Sequence, residues 1–127
     1  MSRSIRAILL ASIVMMPVAA HAQRVGGNAS IAVTGTSANV QLPASTTTFP
    51  ALLLAPAVGV TQEIFYALGA ANTVTAVAPS LPSTQGSPAL PAGGICLAAG
   101  PNTYVAAITA TSTATLRITQ LSQCPLR

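Results

Sequence analysis

The chain has no lysine, no aspartate and no tryptophan, and Glu63 is its only acidic residue. Charged residues make up 5% of its 127 positions, against roughly 25% in ordinary soluble domains. That shortage excludes whole classes of chemistry. Glycosidase mechanisms use two carboxylates, and only one carboxylate side chain exists. A hydrolytic triad needs a base to take the proton of its nucleophile, yet the single histidine, His21, falls in a segment that reads as a cleaved leader. Glu63 by itself is expected to be a solvated or arginine-paired strand residue. Binding to a nucleic-acid backbone takes clustered cations, whereas the five arginines are scattered at positions 3, 6, 24, 117 and 127. Two cysteines and one distant carboxylate make a poor metal site. Gly26-Gly27 and Gly93-Gly94 lack the strand-to-helix setting of a phosphate loop and read as turns. No catalysis, cofactor, metal or nucleic-acid partner is therefore expected.

What is present is an apolar chain, 51% of it hydrophobic and much of that alanine, long enough for a single small domain. Its N-terminus has the layout of an export signal. Arg3 and Arg6 precede an uncharged run from Ala7 to Ala20, and Ala20-His21-Ala22 supplies the small residues of a cleavage site. Cleavage is expected between Ala22 and Gln23. The run has fourteen residues and contains Pro17, short of the roughly twenty that span a bilayer, so no stable membrane insertion is expected after cleavage. The mature chain keeps Arg24, Arg117, Arg127 and Glu63, a side-chain charge of +2 from three arginines and one glutamate. The triplet Asn28-Ala29-Ser30 fits a glycosylation acceptor but is common by chance and carries no assigned role.

Cys96 and Cys124 are the only thiols. In an exported chain such a pair is expected to be bridged. Closing a loop of about 28 residues would contribute roughly 3.5 kcal/mol in the chain-entropy account. A redox role is disfavoured, because there is no Cys-x-x-Cys and no mature His or Lys to stabilise a thiolate.

From residue 29 onward, Thr, Val, Ile and Ala alternate in short runs punctuated by Gly or Pro. This pattern predicts an all-β fold, a β-sandwich or jelly-roll-like domain of about eight strands. The strands are expected at Ser30–Thr34, Ala38–Leu42, Ala51–Ala55, Gln62–Leu68, Asn72–Val77, Gly94–Ala98, Thr103–Thr109 and Ala114–Gln120, the last two forming a hairpin through Ala110–Thr113. Pro79, Pro82, Pro88 and Pro91 mark the longest loop between them. The organisation expected is a signal peptide at 1–22, a linker at 23–29, the sandwich at 30–120 and a tail at 121–127.

Edge strands of soluble β-proteins are commonly guarded by charge, above all lysine. With no lysine and so few charges, the surface predicts self-association or a protein partner. Carbohydrate sites usually offer aromatic platforms. The aromatics here are Phe49, Phe65, Tyr66 and Tyr104; core packing is the expectation for most of them, and Tyr104, after the Pro101-Asn102 turn, is the one possible contact residue.

The stretches SIAVTGTSANVQLP, LLLAPAVGVTQEIFYALG and LPAGGICLAAGPNTYVAAITATSTATLRITQ resemble small all-β proteins of tailed-phage and prophage genomes. The likeness covers roughly residues 30 to 120 and is most specific from Pro101 to Gln120. It implies a virion component of decoration or tail-accessory type, without enzymatic activity. The leader, the cysteine pair and the tail Leu121–Arg127 depart from that pattern. Virion parts assemble in the cytoplasm, so export argues for a periplasmic or extracellular protein that keeps the phage-type fold. Initiation at Met15 or Met16 would delete most of the leader and restore a virion location. The function expected is thus a non-catalytic exported structural or assembly subunit, the alternative being a secreted binding or adhesion module.

Overall fold

The computed structural model describes residues 24–79 and 86–125. The expected leader and its Ala22–Gln23 cleavage point lie outside these residues. Seven strands occur in the described residues: β1 (Val25–Val33), β2 (Ala38–Gln41), β3 (Ala51–Pro56), β4 (Ile64–Gly69), β5 (Ile95–Ala98), β6 (Tyr104–Thr109) and β7 (Ala114–Leu121). They form two sheets, one ordered β1-β7-β3-β5 and the other β2-β6-β4. Every ladder is antiparallel.

Successive strands alternate between the two sheets along the whole chain. The expected β6–β7 hairpin is therefore not formed. The turn through Ala110–Thr113 instead carries the chain from one sheet to the other, and β7 inserts between β1 and β3. Ser112 adopts φ 73° there, and the buried Thr109 hydroxyl donates to the Ser112 carbonyl at 2.8 Å. This contact fixes a tight corner where a two-stranded ribbon would otherwise continue.

The sheets share one core. Ile31, Val33, Leu52, Leu54, Leu116 and Ile118 come from the larger sheet, and Ile64, Tyr66, Val105 and Ala107 from the smaller. Their period-two spacing places them on the facing sides, the sandwich-like arrangement that the alternation predicts. β3 is flanked by ladders on both sides, which suits its unbroken apolar run.

Most expected boundaries shift by one or two residues, so that Glu63, expected in a strand, falls just before β4, and two shifts reach into the expected linker and tail. β1 begins at Val25 rather than Ser30, so part of the expected linker is strand, with a register irregularity between Val25 and Gly27. Gly26 is needed there because a Cβ would run into the ring of Phe49. The glycine pair that reads as a turn is a bulge within a ladder. β7 likewise continues to Leu121, a residue expected in the tail, which pairs with both Val25 and Ala51.

Asn72–Val77, expected as a strand, joins no ladder. Its alternation serves another purpose. Side chains take its backbone groups: Asn39 Nδ2 donates to the Asn72 carbonyl at 2.8 Å and to that of Val74 at 3.3 Å, and the Ala76 N–H donates to Ser37 Oγ at 2.8 Å. Val74 packs so closely on Gly69 that a Cβ there would collide with it. The segment thus touches both flanking strands of the smaller sheet and lies across its outer face. Ala76 of the segment and Phe65 and Ala106 of the sheet are buried at 3%, 6% and 0% exposure, and all three lie outside the shared core. The segment 88–90 then flanks β4, with Tyr66 N–H donating to the Pro88 carbonyl and Leu90 N–H to that of Ile64.

Candidate functional site

The larger sheet differs on its outer face. Pleating turns Asn28, Ser30 and Ala32 of β1, Thr115, Arg117 and Thr119 of β7, and Leu53 and Ala55 of β3 away from the core. Register sets them in rows: Asn28, Thr119, Leu53 and Cys96 in one, Ser30, Arg117 and Ala55 in the next. Nearly all of these side chains are small, so the face is flat, with one exposed cation, Arg117, at its middle. Asn28, Ser30, Arg117 and Thr119 border a shallow hollow. Its amide, hydroxyl and guanidinium groups can donate hydrogen bonds to a polar or anionic group laid on the face. None of them is a general base, and what the hollow offers is hydrogen-bond donors on a flat face.

One end of this face is closed by the cysteine pair. Cys96 of β5 and Cys124 are joined in a disulfide with a Cα–Cα distance of 5.7 Å, within the usual range for such bridges. Leu121 pairs with Ala51 of β3, which in turn pairs with Ala98 of β5. The three residues after Leu121 must therefore pass over β3 to reach the edge strand. The bridge pins the tail across the sheet, and a covalent pair of this kind belongs to an oxidising, exported environment. Beside it, Gly93, Gly94, Leu53 and Pro125 line a second hollow.

The remaining expected residues are dispersed. Tyr104 opens β6 between Gln41 of β2 and Gly69 of β4, half-buried and on the same side of the sheet as Ala106. It does not meet the Arg117 face. Glu63 is exposed just before β4, next to the hollow bordered by Val60 and Leu90. Among the described residues no three of His, Cys, Asp and Glu come together.

Sequence reasoning missed Gln120. It is fully buried, and its side-chain amide makes a two-way clamp, Nε2 donating to the Ala44 carbonyl at 2.9 Å and Oε1 accepting from the Ala44 N–H at 2.8 Å. The clamp satisfies the backbone of the connection that crosses from β2 to β3. Its only trace in the sequence is a polar residue in register with Leu116 and Ile118. The Asn28–Ser30–Ala32 row was missed for a different reason: Gly26-Gly27 hides the start of the alternation.

The chain matches no family model, no curated protein and no solved structure.

Proposed function

We propose that this chain is an exported, non-catalytic structural or assembly subunit of phage-like origin. The observation that carries the reading is the Cys96–Cys124 bridge. A bridge that spans a sheet in so small a domain stiffens a part meant to persist outside the reducing cytoplasm. The assembly role is supported by the charge-poor surface and by the long uncharged strand at one edge of the larger sheet. The phage-like origin rests on the resemblance of residues 30–120.

The test is an intact mass, without reduction, of protein recovered from the periplasm or medium of a bacterium expressing the full reading frame. A product beginning at Gln23 and lighter by the two thiol hydrogens is expected. An uncleaved cytoplasmic product with free thiols would overturn the exported part of the reading.

A further inference from the structure

The direction of the backbone groups along β1 can be worked out strand by strand. The Ala57 N–H donates to the Thr115 carbonyl at 2.9 Å, which aims that end of β7 toward β3. Antiparallel ladders alternate, so Thr115, Arg117 and Thr119 bond to β3, while Leu116, Ile118 and Gln120 bond to β1. Their partners in β1 are Ile31, Ala29 and Gly27. The N–H and C=O groups of Asn28, Ser30 and Ala32 consequently point away from the sheet. All three residues are exposed, and among the described residues no other group pairs with their backbones. The next carbonyl in the row, that of Thr34, is taken by the Thr109 N–H at 2.9 Å, which closes the row at that end.

We propose that two copies of this chain pair through this edge, β1 against β1, antiparallel about a two-fold axis at Ser30. The row is its own complement. With Ser30 opposite Ser30, Asn28 of each copy stands opposite Ala32 of the other, and all three pairs are of the hydrogen-bonded kind. On the outer face the facing side chains are serine with serine and asparagine with alanine, with neither bulk nor like charge to oppose them. Arg117, one strand in from Ser30, would face its counterpart three strand spacings away, about 14 Å. That exceeds the Debye length of about 8 Å at physiological salt. Arg24 lies six residues from the axis, so the two copies of it fall at opposite ends of the interface.

The other edges are less suited. β2 and β5 have four residues each, β4 is flanked by residues 88–90, and β5 carries the bridged tail. The contact is isologous and uses up the edge, so it yields a closed pair with an eight-stranded sheet rather than a fibre. The inference deepens the assembly reading and rests on it for the choice of a second copy as partner.

The experiment is sedimentation equilibrium over a concentration series on the product of the full reading frame. The wild type is compared with Ser30→Lys, Ser30→Pro and, as a charge control, Thr48→Lys in the exposed loop before β3. Ser30→Lys sets two cations face to face on the axis and should weaken the dimer about tenfold or more, with partial recovery in high salt. Ser30→Pro removes an outward N–H while sparing the β7 ladder, and should also yield monomer. Thr48→Lys should dimerise like the wild type. A wild type that is monomeric throughout, or a dimer indifferent to Ser30→Lys, overturns the proposal. A cytoplasmic dimer with free thiols that Ser30→Lys dissociates would support the pairing and overturn the exported reading; a bridged monomer recovered from the medium would do the reverse.

Discussion

The smaller sheet is covered on both faces, by the shared core on one side and by the segment at 70–79 on the other, whereas the larger sheet leaves most of its outer face and the outward edge of β1 at Asn28, Ser30 and Ala32 open. Among the seven strands Arg117 is the one charged side chain. In the smaller one, polar side chains such as Ser37 and Asn39 recruit a loop as a cover. In the larger one, small side chains present a flat face, and a covalent bridge holds down a single end of it. A charge-poor β-protein can thus hide a sheet or offer it, and this chain does both.

The contrast can be broken most forcefully at Phe65. It lies outside the shared core yet is 6% exposed, so Phe65→Ala should cost about 3–5 kcal/mol in urea unfolding, as a core aromatic does. A cost below 1 kcal/mol would mean that the cover is not a packed layer. Next, removing the bridge with Cys96→Ala and Cys124→Ala together should cost about 2–4 kcal/mol. Limited proteolysis of that double variant should trim the tail after Leu121 while leaving the smaller sheet intact.

Gln120→Leu keeps the volume but strands both backbone groups of Ala44, at a cost of about 1–3 kcal/mol. Hydrogen exchange at Ala44 should rise before exchange at β6 does. The smallest effects sharpen the comparison on the two outer faces. Asn39→Ala should cost about 1 kcal/mol and speed exchange across 72–76, because two carbonyls lose their donor. Thr115→Ala, on the open face, should stay within about 0.5 kcal/mol of the wild type.

Much of this fold is legible in the alternation. Ile31 and Val33, Leu116 and Ile118, and Ile64 with Tyr66 announce their strands and inward faces. What the alternation could not convey is partnership. Thr103–Thr109 and Ala114–Gln120 are separated by a turn-like tetrapeptide and look like a hairpin, but a hairpin and a crossover between sheets share the same local pattern. Asn72–Val77 has the composition of a strand and failed to become one because Ser37 and Asn39, more than thirty residues earlier, satisfy its backbone. Of the candidate site, the cysteine pair was legible from its even number and the expected export. The Arg117 face was not, since it exists only once β1, β7 and β3 lie side by side.

The alternation of strands between sheets also sets the order in which the protein can be completed as it is made. β7 is the last of the seven described strands to leave the ribosome, and it stands between β1 and β3 in the larger sheet. Until it emerges β1 has no ladder at all, and both ladders of the smaller sheet wait for β6. Only β3 and β5 can pair before then. Folding of the two sheets is thereby postponed until β6 and β7 have been made, since every ladder joins segments distant in the chain. Two sheets built this way keep their chain threadable until the last of their strands is made, and only then does the fold lock.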